Sequence, residues 1–189
     1  LKRKEKEEAE CHYLESILMS IDLASDVPTL QEIQDEVNSL FKKLPKTSEK
    51  KKKEKPQLLE YTSSDGLKIL VGKNNKQNDY LISKIAHHKD LWLHTQNVHG
   101  SHVIIQTERG QRDIPEATLH EAALLAGYYS QGRGSSSVNV IYTERKHLKK
   151  PPAANLGYVT YSNEKTLYVN PLKEHTKPLL EKLSLHNGE

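Results

Sequence analysis

Fourteen residues, Lys42 to Lys55, hold eight lysines against Glu49 and Glu54, a local net charge of +6, with Pro45 inside the run and Pro56 directly after it. Such a segment has nothing to bury and repels itself, so it cannot belong to a packed core. It therefore divides the chain into three zones: residues 1–44, a Lys-rich linker at 45–57, and residues 58–189. Solvation accounts for the run as well as phosphate attraction does, and the two readings stand side by side.

Ahead of the linker the periodicity is helical. Leu14, Ile17, Leu18 and Ile21 recur three and four residues apart and would line one helix face. After a break at Asp26 and Pro28, Thr29 and Glu32 stand at capping-box spacing. Leu30, Ile33, Val37, Leu40, Phe41 and Leu44 then form a second stripe. A helical hairpin, or the end of a coiled coil, would bury both stripes.

Behind the linker the texture changes to short strand-like runs: Leu58–Thr62, Leu67–Val71, Leu91–Thr95, His102–Gln106, Val138–Thr143, Tyr158–Tyr161 and Thr166–Val169. Asp79–Ala86 and Pro115–Ser130 read as helices, the second rich in alanine and leucine. Turns at Ser64-Asp65-Gly66 and Ser162-Asn163-Glu164 favour hairpins and antiparallel pairing. The expected fold class is α+β: an N-terminal helical hairpin followed by a compact domain with a mainly antiparallel sheet and one long packing helix.

Side chains alternate across a strand, so Leu91 and Leu93 would share one face with Val103 and Ile105, while Trp92, His94 and His102 share the other. An aromatic plane beside two imidazoles suits unstacked bases. The same pattern is met if Trp92 fills a second core layer under the Pro115–Ser130 helix. Upstream, Lys73-Asn74-Asn75-Lys76 enter a helix and could hold a phosphate, or could form a plain capping turn.

Several function classes find no support. The net charge of +3 is too small to argue nucleic-acid binding globally, so the distribution of charge must carry that argument. Cys11, the single cysteine, excludes an intramolecular disulfide and suits a reducing, cytoplasmic compartment. No run of about 18 apolar residues offers a membrane span, and the start, without Met and of mid-helix composition, reads as a piece of a longer protein. His87, His88, His94, His99 and His102 fall within sixteen residues but match no metal-ligand spacing, so no metal or cofactor is expected. No nucleophile elbow or carboxylate pair points to an enzyme.

In order along the chain, Tyr61-Thr62-Ser63-Ser64-Asp65-Gly66, Val71-Gly72-Lys73-Asn74-Asn75 with Gln77-Asn78, Asp90-Leu91-Trp92-Leu93-His94 and Gly100-Ser101-His102-Val103 resemble the NFACT-R domain of the NFACT family of ribosome quality-control proteins. Ala122-Ala123, Tyr128-Tyr129-Ser130, Lys149-Lys150-Pro151 and Gly157-Tyr158-Val159-Thr160-Tyr161 continue the pattern, so the resemblance covers about residues 58–171. His99 and Leu156 stand where that family usually has proline.

The resemblance implies binding to a stalled large ribosomal subunit, through rRNA and ribosomal protein, by a protein that recruits alanyl-tRNA for template-free extension of the nascent chain. The tRNA contact would belong to the full-length protein, and a coiled coil would precede this domain. It points to Asp90, Trp92, His94, Gly100, Ser101 and His102, assisted by Lys73, Asn74, Asn75, Lys76, Lys149 and Lys150, as the RNA- or ribosome-facing residues. Some relatives are described as surface adhesins that bind fibronectin or fibrinogen, which sets a second expectation of fibronectin binding and display at the cell surface.

Overall fold

The structure, a computed structural model, describes residues 2–41, 55–107, 113–172, 176–177 and 179–181. The body of the Lys-rich linker, and with it Leu44, lies outside the described residues.

Helices α1 (Lys2–Leu23) and α2 (Val27–Leu40) are joined by a short turn. Asp26, not Thr29, is the N-cap of α2: its carboxylate accepts the Thr29 N–H at 2.8 Å and Pro28 occupies the first turn. The capping-box reading fails because Glu32 is turned towards the sheet domain. The apolar stripes are not buried as expected either. Leu14, Leu18, Ile21, Leu30, Leu40 and Phe41 are exposed, and the covered residues are Ile17, Met19, Ser20, Thr29, Ile33 and Glu36. The buried side of the hairpin is mixed and partly polar because the surface it meets is polar.

Six strands follow: β1 (Leu59–Thr62), β2 (Lys68–Val71), β3 (Leu91–Thr95), β4 (Val103–Ile105), β5 (Val138–Glu144) and β6 (Lys165–Val169). They form one antiparallel sheet in the order β1-β2-β4-β3-β5-β6. The β1–β2 turn is the expected hairpin, with Gly66 at φ 83 and Ser63 N–H donating to Leu67 O at 2.8 Å. Tyr158–Tyr161 is not a strand. Both tyrosines are exposed, Val159 alone is packed against the apolar cluster of the second sheet face, and an isolated bridge between Lys149 and Thr160 stands in place of a ladder. The partner of β6 is therefore β5, with Thr166 opposite Ile141.

One sheet face carries Ile69, Val71, Leu93, Val103, Ile105 and Val140 and is covered by α4 (Glu116–Tyr128). The buried Ala122, Ala123, Ala126 and Gly127 let α4 lie close to the sheet; a Cβ on Gly127 would stand 2.9 Å from Pro171. The opposite face carries Leu70, Trp92, Ile104 and Ile141. It is covered by Leu81, Ile82 and Leu148, so Trp92 lies beneath a different element from the α4 expected. Helix α3 (Asn75–Tyr80) runs into a π-helical turn, Leu81–Ile85, closed by Ala86 N–H donating to Leu81 O at 2.8 Å. That wider turn seats Leu81 and Ile82 on the second face. Neither apolar cluster of the sheet contains a residue of α1 or α2.

Candidate nucleic-acid interface

Trp92, His94 and His102 do come together. The Trp92 and His94 rings are parallel with centroids 5.8 Å apart, and the His102 ring, nearly perpendicular to both, has its centroid 5.5 Å from that of Trp92 and 5.1 Å from that of His94. The group is not an open surface, however: Trp92 is 1% exposed and His102 5%. Tyr161, itself 40% exposed, packs over the indole at 5.6 Å. Burial pushes the His94 and His102 imidazoles below their ordinary range, His102 furthest. Neutral His94 donates from Nδ1 to Thr95 O at 2.7 Å, and its Nε2 faces Gly100 O at 3.3 Å. The indole N–H of Trp92 and Nδ1 of His102 have no hydrogen-bond partner among the described residues.

The other residues singled out on these strands hold the frame. Asp90 is fully buried, and its carboxylate accepts His87 N–H at 2.8 Å and Thr107 N–H at 3.0 Å, which orders the His87–Asp90 turn. Ser101 is 1% exposed and donates its N–H to Tyr129 O. Gly100 bridges to Ser130, and a Cβ there would come within 2.8 Å of both Ser130 and Thr95. At the departure from the family pattern, His99 is held by Gln131 through its backbone and by Glu15 of α1 through Nε2 at 3.3 Å.

Lys73, Asn74 and Asn75 are buried against the hairpin. Lys73 Nζ donates to Asp26 Oδ2 at 2.5 Å, Asn74 Nδ2 to Glu32 Oε2 at 2.9 Å, and Asn75 Nδ2 to Ser16 Oγ at 2.9 Å and Glu36 Oε1 at 3.1 Å. Lys76 is partly exposed, 3.9 Å from Glu32.

Lys149 and Lys150 are exposed and belong to a larger assembly that only the tertiary structure creates. After β5 the chain makes a 3-10 turn, Arg145–His147, that buries Leu148. Arg145 N–H donates to Asp90 O at 2.8 Å, Lys146 N–H to His88 O at 3.0 Å, and Arg145 Nε to Ile82 O at 2.9 Å. Residues 84–90 and 145–150, far apart in sequence, are thereby tied side by side. They present Lys84, Lys89, Arg145, Lys146, Lys149 and Lys150 together with His87 and His88.

Two carboxylates sit among these cations. Asp79 pairs with Lys150, and Glu144 lies 2.7 Å from Lys146. Lys146 holds the Glu144 carboxyl below its ordinary range, with His147 and Lys89 adding to the effect, which shows how closely the two segments' charges are gathered. The Lys149–Thr160 bridge sets the exposed rings of Tyr158 and Tyr161 along the same border. A small hollow of about 50 Å³ opens there, lined by Ile82, Leu148 and Val159 together with Ser83, Arg145 and Lys150.

A cationic strip edged by exposed aromatic rings is the chemistry that holds an RNA backbone and stacks its unpaired bases. Arg145 and Lys146 escaped the sequence reading although only two residues separate them from Lys149 and Lys150. The run Arg145-Lys146-His147-Leu148-Lys149-Lys150 was the available signal. Nothing local announced its pairing with residues 84–90. Among the described residues no cluster of three or more His, Cys, Asp or Glu is placed to hold a metal ion, and no helix is long and apolar enough to cross a membrane.

Residues 57–162 match the family described as NFACT protein RNA binding domain. The chain is 41% identical over 164 residues to the Rqc2 homolog RqcH of Bacillus subtilis, covering 86% of this chain and 28% of that protein. It is 39% identical over 168 residues to the Rqc2 homolog RqcH of Streptococcus pneumoniae, covering 88% and 30% respectively. It thus spans less than a third of these relatives' length. Among solved structures, the C-terminal part of the fibronectin/fibrinogen-binding protein from Streptococcus suis superposes with a TM-score of 0.80 at 35% identity, covering 92% of this chain and 68% of that one.

Proposed function

Because the chain belongs to the NFACT RNA-binding domain family, we propose that it is the RNA-contacting part of a ribosome quality-control factor and that it acts by binding, not by catalysis. The observation that carries this reading is the cationic strip of residues 84–90 and 145–150 with Tyr158 and Tyr161 at its border. Its partner is rRNA of a stalled large ribosomal subunit in the cytoplasm. Recruitment of alanyl-tRNA and template-free tailing of the nascent chain belong to the longer protein, in which this part supplies subunit contact.

Purified chain titrated with large ribosomal subunits over a salt series tests the reading. Binding that weakens steeply with salt is expected, because each lysine or arginine on a phosphate releases counterions. The name of the Streptococcus suis relative supports one rival, a matrix-binding adhesin. Fibronectin binding that survives salt, with no binding to subunits, would replace the ribosomal reading with that one.

A further inference from the structure

The contact between the helical hairpin and the sheet domain has an unusual composition. Asp26 meets Lys73, Glu32 accepts from both Asn74 Nδ2 and Gln77 Nε2 at 2.9 Å with Lys76 Nζ beside it, and Glu36 accepts from Asn75. In these contacts each carboxylate comes from the hairpin and each donor from the five consecutive residues Lys73–Gln77, while a further hairpin carboxylate, Glu15, meets His99. A carboxylate oxygen held by two side-chain amides between two lysines has the surroundings of a phosphate oxygen. The fit is also incomplete, for Glu36 is 5% exposed and its Oε2 has no hydrogen-bond partner among the described residues. An anionic interface with a strained carboxylate and no share in either apolar cluster is one that a stronger polyanion can displace.

We propose that Lys73–Gln77 is a second phosphate-binding site of this domain, for the phosphodiester backbone of RNA, and that the hairpin closes it in cis with Asp26, Glu32 and Glu36. The proposal rests on the RNA-binding reading above. When RNA lies along the cationic strip, a neighbouring stretch of backbone competes with the hairpin's carboxylates for Lys73, Lys76 and the three amides. Displacement frees the hairpin to swing from the domain, so RNA engagement and hairpin position are coupled.

The test compares Glu32→Lys with Asp35→Lys. Both change the charge of α2 equally, but Asp35 is exposed and, among the described residues, hydrogen-bonds only Gln31 of its own helix. Binding of a single-stranded RNA oligonucleotide is followed by anisotropy over a salt series. Glu32→Lys should bind on the order of tenfold more tightly than Asp35→Lys at low salt, with a log–log salt slope steeper by about 1.4 for two added phosphate contacts. Adding Lys73→Ala and Lys76→Ala to Glu32→Lys should remove the excess slope.

If wild type binds RNA and the two α2 variants are indistinguishable, cis closure is wrong while the RNA reading stands. If no form binds RNA, both fall. Should Glu32→Lys disturb the fold, hydrogen exchange of the wild-type chain decides: saturating RNA should speed exchange across Val27–Leu40, and unchanged exchange overturns the proposal.

Discussion

At the scale of single residues, Glu36 shows how the interface is balanced. Burial pushes its carboxyl above the ordinary range, against hydrogen bonds from Tyr13 and Asn75 that favour the charged form. Release from the domain would lift that burial and bring the carboxyl back down towards its ordinary 4.5. Between that value and its raised docked value the docked state binds more protons, so docking weakens as pH rises through this window and is tightest below it. Glu36→Gln keeps an acceptor for Tyr13 and Asn75 and removes the unpartnered charge. It should slow hydrogen exchange across α2 at pH 7 and flatten the pH dependence seen in wild type. Faster exchange in the variant would mean the ionised carboxylate is a net contributor.

Pairs of elements account for what the residues present. The 3-10 turn after β5 and the turn closed by Asp90 are each short and irregular. Two backbone hydrogen bonds between them, each worth about 0.5–1.5 kcal/mol net, make one surface of both. Lys149→Ala with Lys150→Ala should lower the log–log salt slope for large-subunit binding by about 1.4–1.8, the contribution of two phosphate contacts. The spectrum of Trp92, the chain's single tryptophan, should stay unchanged because both lysines are exposed. An unaltered slope would place the contact elsewhere on the domain.

For the molecule as a whole, three imidazoles set a pH limit. His94, His99 and His102 are all held below their ordinary 6.5, in each case chiefly by burial. Below 6.5 the unfolded chain takes up protons that the folded domain refuses, so stability is full above that value and is lost as pH falls through it towards the folded values. Thermal melts followed by Trp92 fluorescence should show a midpoint that drops steadily from pH 7.5 to 5.5. A midpoint that holds constant would mean the three imidazoles accept protons without cost.

Much was legible in the sequence by itself. The alternation through Leu91–Thr95 and Val103–Ile105 assigned both faces of the central strands, and the small residues of Pro115–Ser130 marked the packing helix. The ordered motifs pointed to the family. These signals are local, since a strand's two faces and a helix's periodicity are written in a handful of consecutive residues.

Only the tertiary structure decided what covers each face. The π-helical turn and Tyr161 enclose Trp92, and His102 is buried beside it, where alternation alone left both solvent and core open. Lys73, Asn74 and Asn75 face carboxylates of a hairpin some forty residues upstream, and the cations of 145–150 are joined to those of 84–90. Polar surfaces that meet each other carry no hydrophobic period, so the pairing of donors with acceptors across long separations becomes visible only once the chain has folded.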